Sequence, residues 1–98
     1  MTREEALARL RPYEQKFRSA GVNALFLFGS ASRNGGKLNS DVDILCDLRD
    51  SDNLGLLDFV RLKDKMSDVL ACPVDLVERR TVRPRIWQRI EPELVRVF

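Results

Sequence analysis

Two aspartates separated by one residue are the first feature of this sequence that could do chemistry. Asp41 and Asp43 stand where a predicted strand begins, and strand alternation puts side chains two residues apart on one face. Two carboxylates this close repel each other unless a proton or a cation lies between them. Mg²⁺ suits such a pair, because it takes one or two carboxylates and completes its ligands with water and substrate phosphates.

A third carboxylate, Asp75, has the same alternation on a predicted strand that follows Pro73. If that strand lies beside the strand of Asp43, Asp75 reaches the same metal zone. Three carboxylates on adjacent strands can hold two ions about 4 Å apart, the spacing used for in-line phosphoryl transfer. The pattern therefore predicts Asp41, Asp43 and Asp75 as metal ligands and as the catalytic groups.

A glycine and a serine follow directly after the first predicted strand. Gly29 would let the backbone approach a ligand closely, and the N–H groups that follow, with the Ser30 hydroxyl, would bind phosphate. Arg33, one helical turn later, could reach the same phosphates. Each feature alone has a plainer explanation, namely an ordinary turn, a solvated carboxylate pair or a polar strand residue. Their specificity comes from the combination and its order.

Composition excludes several classes of protein and of chemistry. The 98 residues predict one domain, residues 1–98, and 44% hydrophobic with 33% charged residues is ordinary for a globular chain. No apolar run is long enough to span a membrane and no secretory signal is visible, so we expect a cytoplasmic protein without a membrane partner. The chain has no histidine, which excludes histidine bases and Ser-His triads. Cys46 and Cys72 are too few for a disulfide framework and are expected to be reduced core thiols.

Charge is distributed unevenly although the net charge is only +2. Residues 41–58 contain six aspartates, which suits a metal, and residues 77–98 contain six arginines, which suits a phosphate-bearing or acidic partner. A solvated basic surface would explain the tail equally well. Nucleic acid is not expected as a direct ligand, because aromatic residues are few and show no stacking pattern.

Hydrophobic periodicity predicts an α/β fold with a small mixed sheet of three to four strands flanked by helices. The predicted helices span residues 3–19, 54–71 and 83–90, and the predicted strands span 22–28, 42–48 and 74–77, with 94–98 as a fourth strand or a packed tail. Pro12 predicts a kink or a later start in the first helix. The buried stripe of the long helix is predicted to contain Leu56, Leu57, Val60, Met66, Val69 and Leu70. Ile86, Trp87 and Ile90 fit either a core stripe or a partner-binding face.

The combined motif resembles the signature of the DNA-polymerase-β-type nucleotidyltransferase superfamily. It consists of residues 28–33, Phe-Gly-Ser-Ala-Ser-Arg, and, after ten residues between Ser30 and Asp41, residues 40–44, Ser-Asp-Val-Asp-Ile. The chain length makes it similar to the minimal nucleotidyltransferase family, and the resemblance covers essentially the whole chain. Two positions depart from the pattern: Asn34 stands where a glycine is common, and Ala31 where a basic residue is frequent.

The resemblance implies the chemistry and the partner. It implies Mg²⁺, as two ions, and ATP as the substrate from which AMP passes to a hydroxyl. It implies that Asp41 and Asp43 ligate the metals and that Asp75 ligates the second ion and helps to deprotonate the attacking hydroxyl. It further implies that Gly29, Ser30, Arg33 and Ser40 contact the nucleotide. Members of the family are often antitoxins paired with a HEPN-domain ribonuclease toxin, so a tyrosine of such a toxin is the expected acceptor, in a hetero-oligomer with it.

Two other functions fit the same residues. The chain could be a catalytically silent antitoxin that neutralises its toxin by binding alone, although the presence of all three carboxylates argues against that. It could also be a transferase acting on a small molecule, for which the sequence offers no second domain to hold the acceptor.

Overall fold

A four-stranded mixed sheet is the centre of the fold, with the predicted helix–strand order around it. The computed structural model describes residues 2–29, 42–49 and 54–98. The α-helices are α1 (Arg3–Leu10), α2 (Glu14–Ser19), α3 (Leu56–Leu70) and α4 (Pro84–Ile90), and the strands are β1 (Val22–Phe28), β2 (Val42–Leu48), β3 (Val74–Glu78) and β4 (Val95–Arg96). Short 3₁₀ turns occupy Arg11–Tyr13, Arg79–Thr81 and Glu91–Glu93.

The strand order is β3-β2-β1-β4, and the directions are mixed. β1 pairs antiparallel with β2 and with β4, whereas β2 pairs parallel with β3. The parallel pair needs a long crossover connection, and α3 supplies it. The predicted α/β class with a mixed sheet of up to four strands is therefore confirmed, and residues 95–96 form the fourth strand.

The predicted N-terminal helix is broken at Pro12. The proline ring removes a backbone donor and clashes with the preceding turn in a helix interior, so the chain forms a 3₁₀ turn between α1 and α2. The predicted helix start is confirmed, because the Thr2 hydroxyl accepts a hydrogen bond of 3.2 Å from the backbone N–H of Glu5. This N-cap hydrogen bond fixes the residue at which the first helix begins.

The main core lies between one face of the sheet and helices α1, α2 and α3. Its buried members include Leu10 and Phe17 from the first two helices, Leu25 and Ile44 from the central strands, and Met66 from α3. Cys46 is fully buried in the same cluster, as expected, while Cys72 is half-buried at its edge. Among the described residues, no helix has the length and apolarity to cross a membrane.

The predicted buried stripe of α3 is wrong at its N-terminal end. Leu56, Leu57 and Val60 are 79%, 70% and 41% exposed, and the stripe that is buried is centred on Leu62 and Met66. With about 100° of rotation per residue, the three exposed positions lie roughly 90° or more away from the centre of that stripe. Their apolar character made them resemble core positions, although their angular position on the helix turns them towards solvent.

Helix α4 does not add to the main core. Ile86 is 49% exposed, and neither Trp87 nor Ile90 is among the buried residues of the cluster. The guanidinium of Arg79 lies 3.5 Å from the centroid of the half-buried Trp87 ring, which is a cation–π contact. Of the two interpretations of this helix, the core stripe is therefore wrong for Ile86.

Candidate active site

Three side chains form a row across the sheet at the edge where β1 ends and β2 and β3 begin. Phe28 is the register partner of Asp43 across the antiparallel pair, and Asp43 is the register partner of Asp75 across the parallel pair. Register partners project from the same face of a sheet on strands about 4.8 Å apart. The strand neighbourhood on which the prediction for Asp75 depended is therefore present.

Gly29 adjoins this row and needs to be a glycine. Its φ angle is +66°, in the left-handed region that side chains disfavour. A Cβ atom at Gly29 would lie 3.2 Å from Cγ of Asp43 and would collide with the Oδ2 atom of the same carboxylate. The end of β1 thus bends directly against the side chain of Asp43, and the absence of a side chain leaves room for that carboxylate.

The carboxylate row lies on the sheet face opposite the main core. Alternate residues of β2, among them Ile44 and Cys46, belong to the core under the helices, and Asp43 and Leu45 therefore project to the other side. On β3 the same alternation buries Leu76 in the core and leaves Asp75 exposed on the other face. Helices α1, α2 and α3 therefore lie on the other side of the sheet from the two carboxylates, and Asp75 is exposed there.

A second row lies next to the carboxylates on the same face, and its member Leu45 is only 1% exposed. It runs from Arg96 on β4 through Phe26 and Leu45 to Val77, because each of these residues is the register partner of the next. The Arg96 guanidinium lies 5.7 Å from the centroid of the Phe26 ring. The face thus carries an apolar floor beside two carboxylates, with a cation at one edge.

The remaining predicted site residues cannot be compared with the fold. Ser30, Arg33, Ser40 and Asp41 lie outside the described residues, so their predicted roles stay predictions. Within residues 2–29, 42–49 and 54–98, no group of three or more histidine, cysteine, aspartate or glutamate side chains is close enough to hold a metal. The described part of the candidate site is Gly29, Asp43 and Asp75.

The described residues fit a hard divalent cation. Asp43 and Asp75 offer carboxylate oxygens from neighbouring strands on one sheet face, and oxygen is the ligand that Mg²⁺ prefers. Two carboxylates leave coordination positions of the ion for further ligands, which include water and phosphate oxygens. The donor set therefore suits an ion that also binds a phosphate-bearing substrate.

A buried titratable pair lies at the other end of β2 and β3, away from the carboxylate row. Burial, with a smaller contribution from the charge of Glu78, raises the pKa of Cys46 to about 12. Glu78 is the register partner of Cys46 and is only 8% exposed. One of its oxygens, Oε2, accepts a hydrogen bond of 2.9 Å from the backbone N–H of Arg80. This carboxylate ends β3 and caps the 3₁₀ turn that follows, which is a structural role.

The sequence did not single out Phe28, Phe26 or Arg96 as neighbours of the site. Phe26 and Phe28 resembled members of a strand buried on both faces, and Arg96 was one of six arginines in the basic tail. Alternation along β1 was the available signal, because Leu25 and Leu27 are fully buried while Phe26 and Phe28 are only half-buried. Which of the arginines lies beside the site depends on β4 pairing with β1, and that pairing is visible only in the fold.

Comparison with known proteins gives a consistent family. Residues 10–97 match the nucleotidyltransferase domain family model. The chain is 39% identical over 80% of its length to the "Putative protein adenylyltransferase MJ0435" of Methanocaldococcus jannaschii, of which it covers 82%. It is 33% identical over 99% of its length to the protein adenylyltransferase MntA of Thermococcus cleftensis, of which it covers 97%.

Solved structures show the same fold. A structure described as that of a "putative minimal nucleotidyltransferase" superposes with a TM-score of 0.81 at 28% identity, covering 97% of this chain and 95% of the other. The antitoxin in the complex with the tri-AMPylated HEPN toxin of Shewanella oneidensis gives a TM-score of 0.68 at 21% identity, covering 95% of this chain and 71% of the other. A toxin–antitoxin complex with AMP-PNP gives 0.69 at 23% identity, covering 100% and 73%.

Proposed function

Because the chain belongs to the nucleotidyltransferase domain family and is a protein adenylyltransferase related to MntA antitoxins, we propose that it transfers AMP from ATP to a tyrosine hydroxyl of a HEPN-type toxin. The observation that carries this proposal is the register partnership of Asp43 and Asp75 beside Gly29. The solved complexes of MNT-type antitoxins with HEPN toxins support the choice of partner.

The site residues divide the reaction between them. Asp41, Asp43 and Asp75 would hold Mg²⁺, which neutralises phosphate charge when it is bound. Asp75, on the β3 side, accepts the proton of the tyrosine hydroxyl as its oxygen attacks the α-phosphorus of ATP. The bond between the α-phosphorus and the bridging oxygen breaks, pyrophosphate leaves, and a tyrosine–AMP phosphodiester forms. Gly29 and Ser30, at the end of β1, bind the phosphates that leave.

The exposure of Asp75 suits a protein acceptor. Asp75 is exposed, and the helices α1, α2 and α3 lie on the opposite side of the sheet. A tyrosine on the surface of another protein can therefore approach Asp75 without displacing a helix of the main core. The same exposure means that the partner completes the wall of the site and excludes water during transfer.

The test is transfer of a labelled AMP group to the toxin. The purified chain is incubated with α-³²P-ATP, Mg²⁺ and a HEPN-type toxin encoded in the same genome, and the labelled residue is identified by mass spectrometry. Asp43→Asn and Asp75→Asn should each reduce the initial rate by about 100-fold or more. Asp64→Asn is the matched control, because Asp64 is an exposed carboxylate on α3, beyond the opposite face, and should retain the wild-type rate.

A silent antitoxin would give a different result. If the wild-type chain binds and neutralises the toxin but leaves no label on it, neutralisation occurs by binding and the proposed transfer is wrong. If the label appears but falls on serine or lysine, the reaction stands and the tyrosine acceptor is wrong. Omitting Mg²⁺ or adding EDTA should abolish the label, and persistence of the label would contradict the metal dependence.

A further inference from the structure

An arginine near the C-terminus lies on the same sheet face as the two site carboxylates. Arg96 on β4 pairs with Phe26 on β1, and Phe26 in turn pairs with Leu45, two residues along β2 from Asp43. Strand spacing and rise place the Arg96 backbone about 10 Å across the sheet and about 7 Å along the strands from that of Asp43. An extended arginine side chain covers much of that gap, and a metal-bound polyphosphate would cover the rest.

The Arg96 side chain is held on this face and not turned away from it. Its guanidinium lies over the half-buried ring of Phe26, 5.7 Å from the ring centroid. Two hydrogen bonds from the Arg11 guanidinium, 3.3 Å to the Arg96 carbonyl and 3.0 Å to the Val97 carbonyl, fix the backbone on either side. Phe98 anchors the strand further, because its ring stacks against Phe17 in the core. Because β4 is held in place by these contacts, the Arg96 guanidinium is preorganised to bind a ligand.

Arg96 also retains its donors for a ligand. Among the residues that the structure describes, no carboxylate forms a salt bridge with it, and its side chain is exposed. A guanidinium carries five N–H donors in a planar fork that matches phosphate oxygens. Arg61 is also an exposed arginine, but it lies on α3, in the helical layer on the other side of the sheet, and is therefore a suitable control.

The position of β4 in the strand order decides which part of the substrate Arg96 contacts. Asp75 lies on the β3 side of Asp43. This step depends on the proposed function, in which Asp75 receives the proton of the acceptor hydroxyl. Gly29 lies at the end of β1, on the other side of Asp43, and marks the phosphate side. β4 is the next strand beyond β1 in that direction. We infer that Arg96 binds the β- and γ-phosphates of ATP and stabilises the pyrophosphate that leaves.

The test compares nucleotides with and without those phosphates. AMP-PNP and AMP are titrated by calorimetry in Mg²⁺ into the wild-type chain, Arg96→Gln, Arg96→Lys and Arg61→Gln. Arg96→Gln should weaken AMP-PNP binding about tenfold and leave AMP binding unchanged. Arg96→Lys keeps the charge without the fork and should lie between the two. Arg61→Gln makes the same change of net charge and should match the wild type.

Two results would overturn the assignment. An unchanged AMP-PNP affinity in Arg96→Gln removes Arg96 from the phosphate site, and an equal loss for AMP and AMP-PNP means that Arg96 acts on the adenosine part or on the fold. Thermal melting of each variant, expected to stay within about 2 °C of wild type for an exposed side chain, separates the last two. If the wild-type chain itself fails to bind AMP-PNP, the proposed function is wrong. If it binds and Arg96→Gln is unaffected, the fault is in this inference alone.

Discussion

Asp43 and Asp75 are register partners on the only parallel strand pair among the described strands, and both project from the face opposite the main core. Backbone hydrogen bonds of the sheet therefore fix the separation of the two Cα atoms, independently of any loop. A cation that binds both carboxylates in the folded chain and not in the unfolded chain should stabilise the fold.

Magnesium should raise the melting temperature of the chain through this pair. An ion present at tenfold excess over its dissociation constant stabilises the native state by about 1.4 kcal/mol. For a domain of this size that corresponds to a rise of roughly 6 °C in Tm. Differential scanning fluorimetry with increasing MgCl₂ measures it. The rise should be much smaller in Asp43→Asn and in Asp75→Asn.

Asp64→Asn serves as the control for this titration and should keep the full rise, because Asp64 lies on α3 away from the carboxylate row. A rise of equal size in all four proteins would mean that the ion screens surface charge in general. It would remove the evidence that Asp43 and Asp75 form a metal site.

Gly29→Ala should reduce activity through Asp43. An alanine Cβ would meet the carboxylate of Asp43 and would also need the left-handed conformation, φ +66°, which costs about 1–2 kcal/mol. The displaced carboxylate should weaken Mg²⁺ binding and lower the rate of AMP transfer by more than the loss of stability explains. Denaturant unfolding and the transfer assay on the same preparation separate the two effects.

Gly55→Ala is the matched glycine control. A Cβ at Gly55 meets only the Oδ2 atom of Asp58, at 3.7 Å, and Gly55 has a φ of −81°. It should change stability by less than about 1 kcal/mol and leave transfer unchanged. If Gly29→Ala behaves in the same way, the close approach between Gly29 and Asp43 has no functional consequence.

The sheet could be predicted well because its strands are short, apolar and bounded by clear breaks. The predicted bounds 22–28 and 42–48 agree with β1 and β2, since Gly21 and Gly29 interrupt the pattern on both sides of the first of them. The mixed sheet was predicted correctly as well, because β1 and β2 pair antiparallel while β2 and β3 pair parallel.

The helical faces were harder to predict. Leucine at 56 and 57 has the same chemistry as leucine at 62, and only rotation about the helix axis distinguishes them. A stripe estimated from composition over the whole helix therefore included residues that face solvent. The same limit applies to α4, where the cation–π contact between Arg79 and Trp87 could not be foreseen from spacing.

The residues of the candidate site could be predicted from the sequence motif, but their spatial arrangement could not. The order of Gly29, Asp43 and Asp75 along the chain indicated the chemistry, while the neighbourhood of β2 and β3 had to be assumed. Arg96 is more than fifty residues from Asp43 in sequence, and no local pattern links a C-terminal arginine to that carboxylate. Pairing of β4 with β1 brings Arg96 to the same face, and long-range pairing is what a local pattern cannot show.

The buried stripe of α3 can be tested with two substitutions of one kind. Leu62→Ala should lower the free energy of unfolding by about 2–5 kcal/mol, because Leu62 is only 5% exposed and its removal leaves a cavity in the core. Leu57→Ala should change it by no more than about 0.5 kcal/mol, because Leu57 is largely exposed. Urea unfolding followed by circular dichroism gives both values. Similar losses for both variants would contradict the rotation of α3 described above.

Alkaline pH should destabilise the fold through Cys46. Its pKa rises from 9.0 to about 12 in the folded chain, so between these values the folded state keeps a proton that the unfolded state releases. The contribution of the thiol is therefore fully present below pH 9 and is lost as the pH rises towards 12. Over that window the free energy of unfolding should fall by about 1.4 kcal/mol per pH unit through this group. Urea unfolding at pH 8, 9, 10 and 11 measures the slope.

Cys46→Ala isolates the contribution of the thiol from those of Tyr13 and the lysines, which both proteins share. The variant should be less stable at pH 8, because the buried sulfur leaves a small cavity, but its slope above pH 9 should be shallower than that of the wild type. A thiol reagent gives an independent measurement at pH 8. The half-buried Cys72 should react in the native protein, whereas the fully buried and protonated Cys46 should react only after unfolding. Equal slopes in the two proteins, or rapid native labelling of Cys46 in Cys72→Ala, would show that the thiol is accessible and ionises near its ordinary pKa.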